Sequence, residues 1–447
     1  MRWPLYGCAA CLAVACSLDI SESEVIQSGS AGGGSTHAGT EAGASSPASG
    51  TQATTASGCT PHCPVGTCGD DGCHGMCPAC PGDAECMGTN CVACGPWLTT
   101  PEQVTLAGRL ALDGQTLYVG GAESTASGES SWIGTFDACT GHVELSTTYA
   151  GPVSPSIGDL PFAASSTRLF FAGEQDAQPP FLGSVPKTTG ASWNAAIGSG
   201  TDDRIADLLV GSDGDLWAVG VTGSPATTWL VRERASGGTP CEYTDVNSVS
   251  AFGVAPSGGD GVLVGSIDAS GDLVFVPYVD ASCASHPACS CDPADSPTNV
   301  TIPLANPVPT QMLSFDGFVF VVGHGAATDG KQAGFVARIT ASDLTLADTF
   351  VFHPSDTAKD DALYGITDDG TNLLVVGGKG LDDAAAPAAG TAVILKLSPT
   401  FTTIFDAPTP SAAFFQSVQV SGTGIFVTGA NGAGAVVARC DSTGVCG

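Results

Sequence analysis

The sequence predicts an all-β fold, a seven-bladed β-propeller that follows a signal segment, a flexible linker and a small disulfide-rich module. Three observations lead to this fold. The 447-residue chain contains 60 glycines, a composition that suits strands and turns better than long helices. After Pro96, a turn, a short apolar β-prone run and a closing glycine recur seven times. The repeats are roughly 50 residues apart, a period typical of propeller blades.

The seven apolar runs share the same local pattern. They span 115–120, 168–173, 215–220, 261–265, 318–323, 372–377 and 424–429. Most follow a pair such as Asp113-Gly114 or Asp369-Gly370, which favours the tight turns that join antiparallel strands. A second strand follows each run, and radial closure of the units leaves few exposed edges. An open β-solenoid and a six-bladed ring are the structural alternatives.

The last repeat is incomplete, because only residues 441–447 follow its second strand, which ends at Cys440. Either the segment after Trp97 or the stub 444–447 is expected to supply the missing strand. In both cases the two ends of the propeller, which we place at 97–447, lie next to each other.

The repeats resemble bacterial β-propeller repeat families, whose blades read turn, apolar strand, glycine, loop and a strand that ends near a basic residue. Arg234, Arg338, Lys396 and Arg439 stand at that last position, whereas blades one, two and four lack a base there. The resemblance implies the fold and no particular chemistry.

The N-terminus predicts export. Residues 3–15 form an apolar stretch after Arg2, too short to span a membrane and typical of a signal peptide. The stretch ends in Ala-Val-Ala before Cys16 and resembles the lipobox of bacterial lipoproteins, although Ala13 replaces the usual leucine. The resemblance implies that Cys16 is lipidated, and Ser17 fits outer-membrane sorting.

We therefore expect a signal peptide over 1–15 and a lipid-anchored, low-complexity tether over 16–58. The expected location is extracytoplasmic, at the outer membrane or cell surface of a Gram-negative bacterium, with secretion as the alternative.

A disulfide-rich module is predicted over 59–94, since so short a segment cannot build a hydrophobic core and needs covalent staples or a metal. Export favours disulfides, and zinc binding by its CxxC pairs is the alternative. The run 68–77 resembles a cysteine-rich spacer of bacterial surface proteins. The predicted disulfide cysteines are Cys59, Cys63, Cys68, Cys73, Cys77, Cys80, Cys86, Cys91, Cys94, Cys139, Cys241, Cys283, Cys289, Cys291, Cys440 and Cys446.

The cysteine counts of the two parts predict a bridge between them. Nine cysteines fall in the module and seven in the propeller, both odd numbers. We expect one bridge from Cys91 or Cys94 to Cys440 or Cys446. A local bridge between Cys440 and Cys446 is the alternative.

The charge balance limits the partners. With 44 acidic and 13 basic residues, the net charge is −31, which argues against nucleic acid and against direct adsorption to an anionic membrane. Membrane contact is expected through the lipid anchor only, and the protein is expected to be a monomer. We find no catalytic motif and expect no cofactor, no catalytic residue and no dedicated metal site.

A possible binding face is formed by the loops between the second and third strands of blades five and six. Mixed charge there could bind a polar ligand or a cation. The candidate residues are His324, Asp329, Lys331, Gln332, Lys379, Asp382 and Asp383. Residues 200–203 and 359–361 are two further acidic stretches, without the ligand spacing of a calcium loop.

The leading functional hypothesis is a tethered binding or scaffold protein whose partner is a surface protein or a polysaccharide. The alternatives are an extracytoplasmic enzyme, of the polysaccharide lyase or hydrolase type, and a metal-binding surface protein.

Overall fold

The computed structural model describes most of the chain from Ala84 onward. The described ranges are 84–87, 90–125, 128–152, 161–175, 178–188, 192–196, 203–211, 214–223, 226–233, 241–245, 248–258, 261–278, 297–354 and 359–447. The signal segment, Cys16, the tether and the first six module cysteines lie outside these ranges, as do Cys283, Cys289 and Cys291.

Before the propeller, β1 (Ala84–Met87) and β2 (Asn90–Ala93) form an antiparallel hairpin. All other strands belong to seven four-stranded antiparallel sheets, the blades. No helix occurs within the described ranges.

Each blade has an inner, a second, a third and an outer strand. The inner strands of blades one to seven are β4 (Val104–Asp113), β8 (Phe162–Ala164), β12 (Arg204–Val210), β16 (Ser250–Gly258), β20 (Ala305–Phe315), β24 (Asp360–Asp368) and β28 (Phe414–Ser421). The second strands are β5 (Thr116–Thr125), β9 (Arg168–Gln175), β13 (Leu216–Thr222), β17 (Gly261–Ile267), β21 (Phe318–Ala326), β25 (Leu373–Leu381) and β29 (Gly424–Asn431).

The third strands are β6 (Gly128–Asp137), β10 (Gln178–Pro186), β14 (Thr227–Glu233), β18 (Leu273–Tyr278), β22 (Gln332–Thr340), β26 (Thr391–Leu397) and β30 (Gly434–Cys440). The outer strands are β7 (Val143–Pro152), β11 (Trp193–Ala196), β15 (Cys241–Asp245), β19 (Thr298–Val300), β23 (Leu346–Phe352), β27 (Thr403–Thr409) and, in blade seven, β3 (Trp97–Thr99).

The blades close into a ring. Each inner strand contacts the inner strand of the next blade, and the inner strand of blade seven contacts that of blade one. The fold is therefore a closed, seven-bladed β-propeller, which rules out the open solenoid and the six-bladed ring.

The N-terminal strand β3 completes blade seven, because Trp97 pairs with Arg439 and Thr99 pairs with Val437 on β30. The Trp97 side chain meanwhile packs on blade one, stacked on Phe136, and its indole N–H donates to the carbonyl of Ala138. The segment after Trp97, and not the C-terminal stub, is therefore the missing strand. It joins the first blade to the last.

Two disulfides flank this closure. Cys94 is bonded to Cys139, which follows strand β6 of blade one, and Cys440 is bonded to Cys446. Cys94 of the predicted module is thus bridged to the propeller, but our expectation that this bridge ends at Cys440 or Cys446 is wrong, and those two cysteines form the local alternative. The reason is that β3 runs along blade seven with its N-terminal end beside the turn of blade one that carries Cys139. Cys91 is disulfide-bonded as well.

The turns between the inner and second strands contain the predicted tight-turn glycines. Gly114, Gly317 and Gly370 have φ of 59°, 76° and 81°, a region that strongly favours glycine. The predicted turn pairs therefore join the first two strands of their blades.

A β-bulge in the inner strands explains the closing glycine of the repeats. In blade three, Ile205 pairs with Gly220 and Asp207 with Val219, so Ala206 is extra. A Cβ on Gly220 would lie 2.0 Å from the carbonyl oxygen of Arg204. The inner strands of blades one, four, five, six and seven have equivalent irregularities. The sequence signature therefore marks the place where the bulged strand approaches too closely for a side chain.

Two repeats are displaced by one residue from their predicted register. In blade one the tight position belongs to Gly121, where a Cβ would lie 2.4 Å from the carbonyl oxygen of Leu106, and not to Gly120. In blade four the position equivalent to Gly220 is occupied by Ser266, which pairs with Ala251. The closing Gly265 pairs with Gly253 instead, and a Cβ on it would lie 2.5 Å from the Phe252 ring.

Basic residues on the third strands bind side chains near the lower face. We define the lower face as the one that carries the turns between the inner and second strands. Arg232 binds Asp215 at 2.7 Å and lies over the Trp217 ring. Arg232 pairs with Trp217 in the same way that Arg338 pairs with Phe320. Arg232, and not Arg234, is therefore the basic residue of blade three that matches those of the other blades. Arg234 lies outside the described ranges. These bases are structural.

Candidate functional site

The side chain of one arginine crosses the centre of the ring. Arg109 on the inner strand of blade one lies 3.6 Å from a carboxylate oxygen of Asp207 in blade three. The same guanidinium donates to the carbonyl oxygen of Thr310 in blade five at 3.2 Å. Since these blades are not neighbours, the side chain must cross the central channel. Arg109 and Asp207 are both buried, so the ion pair is shielded from solvent.

The polar groups beside Arg109 tie neighbouring inner strands together. Asp207 accepts hydrogen bonds from the N–H of Leu208 and from that of Val254 in blade four. Gln311 does the same across blades five and six, where its side-chain oxygen accepts from Ile366 N at 3.0 Å. Burial raises the pKa of Asp207, and the Arg109 charge opposes that rise. The channel residues therefore stabilise the ring.

The predicted site lies on the upper face, which we define as the face of the loops between second and third strands. On blade five, His324 is buried, and its Nδ1 lies 3.2 Å from Oε1 of Gln332. The His324 ring also contacts the Tyr364 ring of blade six edge-on. Burial lowers the pKa of His324. The imidazole is therefore a neutral, fixed part of the blade interface.

A second histidine, which the sequence analysis did not identify, lies between two carboxylates. His353 follows the outer strand of blade five. Its Nε2 lies 2.9 Å from Asp329, and its Nδ1 lies 3.1 Å from Asp361 of blade six. Only the protonated imidazolium can donate from both nitrogens. The hydrogen bond to Asp329 is the main reason that the pKa of His353 is raised. We call Asp329, His353 and Asp361 the histidine clamp.

The clamp and one further bond attach a loop of blade five to blade six. Gln332 N donates to Asp360 at 3.1 Å. Asp361 is buried, accepts from Gly380 N at 2.9 Å, and has its pKa raised by burial. Asp203 makes the equivalent bond to Gly223 in blade three. The acidic stretches 200–203 and 359–361 thus each end in an aspartate that holds a loop of its own blade.

The predicted residues of blade six form a separate loop. Asp382 accepts from the N–H of Ala388 and Ala389, and Asp383 accepts from Ala385 N. These backbone bonds lower the pKa of Asp382. Both side chains are exposed, so they fix the loop while part of each carboxylate still faces solvent.

Lys331 and Lys379 each precede a residue whose backbone N–H donates to an aspartate at the start of β24. Lys331 precedes Gln332, which bonds to Asp360, and Lys379 precedes Gly380, which bonds to the adjacent Asp361. The structure thus brings the predicted residues of blade five to blade six through His353, Asp360 and Asp361. A histidine directly after an outer strand was the sequence signal available for the missed group.

A narrow cleft with room for about one water molecule lies between blades one and two. It is lined by glycines, Pro161, Ala172 and the rings of Trp132 and Phe171, with Ser131 as its polar residue. Since this lining has no charged group, the cleft offers a ligand one polar contact. The blade five and six interface is the chemically richer surface.

Two features are absent from the described ranges. No group of three or more His, Cys, Asp or Glu side chains there is arranged to hold a metal ion. No helix in those ranges is long and apolar enough to cross a membrane.

Replacing His353 with glutamine is expected to lower the free energy of unfolding by about 1 kcal/mol at about pH 6, since it removes charge-assisted hydrogen bonds. Because the pKa of His353 is raised above its ordinary 6.5 in the folded state, the clamp is fully effective below that value. Its contribution is lost as the pH rises through the folded pKa. Urea unfolding of both proteins from about pH 6 to about pH 9 measures this convergence.

The matched control is His142→Gln, at an exposed histidine on blade one, which should show no comparable pH-dependent difference. A stability difference between wild type and His353→Gln that stays constant over this range would contradict the imidazolium assignment.

Comparison with known proteins gives no family. No protein family model matches the chain, and no curated protein matches it. Among solved structures, it is similar to the Cps50 (Swd1) beta-propeller domain of Myceliophteria thermophila. The identity is 11%, the TM-score is 0.47, and the match covers 77% of this chain and 99% of that chain. The fold is established by the strand order and the ring closure.

Proposed function

We propose that this protein is an extracytoplasmic, lipid-anchored binding or scaffold protein. Its ligand face is the upper face of blades five and six, and its ligand is a surface polymer or protein. The propeller is the rigid head, and residues 16–58 are the tether that connects it to the membrane.

The observation that carries the binding role is the state of the two histidines on this face. His324 is buried against Gln332, and both nitrogens of His353 are engaged by carboxylates. General base catalysis needs a nitrogen free to take a proton from the substrate. His353 has no free nitrogen and His324 is buried away from solvent, which supports recognition over the lyase or hydrolase alternative.

The anchor is supported by the sequence around Cys16. Residues 18–58 consist largely of Ser, Gly, Ala and Thr, a composition that forms flexible linkers. Acyl chains contribute about 0.8 kcal/mol per buried methylene, so two or more chains hold a protein durably at a bilayer.

Replacing Cys16 with alanine tests the anchor. The full chain, expressed in a Gram-negative host, should partition into the detergent phase and the membrane fraction, because its acyl chains are apolar. The Cys16→Ala protein should move to the aqueous phase. Fractionation followed by immunoblotting measures this shift.

Cys11→Ala is the matched control, since Cys11 lies within the predicted signal peptide and should not affect the location. Membrane association of Cys16→Ala equal to that of wild type would refute the lipid anchor.

A further inference from the structure

The histidine clamp is the centre of a longer series of hydrogen bonds between two blades. Lys331 N donates to Oδ1 of Asp329 at 3.0 Å, and Oδ2 of the same carboxylate binds Nε2 of His353 at 2.9 Å. On the other side, Nδ1 of His353 lies 3.1 Å from Oδ2 of Asp361, whose Oδ1 accepts from Gly380 N at 2.9 Å. Each aspartate therefore holds the backbone of its own blade with one oxygen and the imidazole with the other.

The two ends of this series lie on the upper face that we propose for binding. Lys331 is in the loop between β21 and β22 of blade five, which the bond from Ala327 N to the Lys331 carbonyl oxygen closes at 2.8 Å. Gly380 is near the end of β25 in blade six, directly before the loop of residues 382–390. One imidazole thus connects the upper loops of two neighbouring blades.

The two contacts of His353 cannot both persist when its ring is neutral. A neutral imidazole has one N–H donor, and its other nitrogen carries a lone pair. That second nitrogen would face the lone pairs of an ionised carboxylate at hydrogen-bond distance, which is a repulsive arrangement. Loss of the imidazolium proton must therefore open one of the two contacts.

Asp329 is on the side that opens. The side chain of Asp361 is 3% exposed and that of Asp329 is 31% exposed. Asp361 is fixed within β24, whereas Asp329 is in a loop and can exchange the imidazole for water. Gln332 N remains bonded to Asp360, which keeps the start of β22 in place. The movement is therefore confined to the loop before it.

The charged groups that face His353 are Asp329 from the blade five loop and Asp361 from β24 of blade six. The bond to Asp329 is the main reason that the pKa of His353 is raised, and Asp361 adds to the rise. Burial, aided by the adjacent Asp360, raises the pKa of Asp361. Because the pKa of His353 lies above its ordinary value, the imidazolium is lost on the alkaline side. Burial lowers the pKa of His324, so that histidine titrates on the acid side.

We propose that the histidine clamp is a pH-operated latch of the binding face. While His353 is protonated, the blade five loop 327–331 is fixed to blade six, and loss of that proton releases the loop. This inference rests on the proposed binding function and names the regulation of its face. A ligand meets two loops in one fixed arrangement when the latch is closed, whereas ordering a released loop on binding lowers the affinity.

Hydrogen exchange of the full chain, purified in detergent, tests the latch between about pH 6 and about pH 9. With labelling times scaled to the intrinsic rate, peptides that cover 327–331 should exchange about fivefold faster at the alkaline end, because the loop has lost a charge-assisted bond. In His353→Gln, exchange of these peptides should not change over this range. His142→Gln, on blade one, should behave as wild type. Mass spectrometry measures the exchange.

A second variant links the movement to the proton on His353. Asp329→Asn keeps an oxygen that accepts from Lys331 N but removes the charge beside the imidazole. The titration midpoint of His353 should therefore move to lower pH, and the exchange transition of the loop should move with it. NMR of histidine labelled with ¹³C gives the midpoint, and His353→Gln assigns the signal.

Exchange of the wild-type loop that stays constant over this range would overturn the inference. The same holds for an exchange transition that stays in place while Asp329→Asn moves the His353 midpoint. Loosening of the loop as the pH falls would assign the change to His324 and would also overturn it. The fractionation test of the Cys16 anchor does not depend on His353, so failure of the latch and failure of the tethered function are distinguishable.

Discussion

Replacing Arg109 with methionine is expected to lower the free energy of unfolding by about 4 kcal/mol, because it leaves the buried Asp207 carboxylate without its counter-charge. Asp207 and Thr310 belong to different blades, so the loss affects three blades at once. Burial already raises the pKa of Asp207, and loss of Arg109 raises it further. The deficit should therefore shrink as the pH falls and the carboxylate becomes protonated.

Two further variants isolate the ion pair. Arg109→Met/Asp207→Asn should recover much of the lost stability, since no unpaired charge remains in the channel. Arg204→Met, at an exposed arginine that donates to Ser250 Oγ, should change stability by less than about 0.5 kcal/mol. Denaturant unfolding gives the values. An Arg109→Met deficit no larger than that of Arg204→Met would show that the channel pair does not hold the ring.

Removal of the Cys94–Cys139 disulfide by a double alanine variant is also expected to cost about 4 kcal/mol. The bond spans 45 residues, and the loss of chain entropy in the unfolded state grows with loop length. The enclosed segment contains strand β3, whose three backbone pairs with β30 close the ring. The variant should therefore lose protection of the blade-seven amides against hydrogen exchange before the other blades do.

The Cys440–Cys446 pair is the matched control. Its separation is 6 residues, for which the same relation gives about 2 kcal/mol. Denaturant unfolding of both double variants, with all other disulfides intact, measures the difference. An equal loss for the two pairs would contradict a role of Cys94–Cys139 in closing the ring.

The candidate site was predictable in part. The loop residues of blade five could be placed on the upper face because strand alternation fixes which turns share a face. His353 and the role of Asp361 could not be predicted. They are 8 residues apart in sequence but belong to different blades, and their contact depends on the packing angle between two sheets. Likewise, Asp382 and Asp383 look like ligands in the sequence, yet they hold their own loop.

The repeat, with its seven strand sets and the turns between them, can be predicted from short stretches of sequence, because hydrophobic alternation and the positive φ of the turn glycines are local requirements. Closure of the ring determines which terminus completes blade seven, which cysteine bonds to Cys94, and that Arg109 crosses the channel. These outcomes depend on groups distant in sequence meeting only when the ring closes. The physical reason is that an ion pair across the central channel and a contact between two blades are properties of the assembled ring, which no single repeat contains.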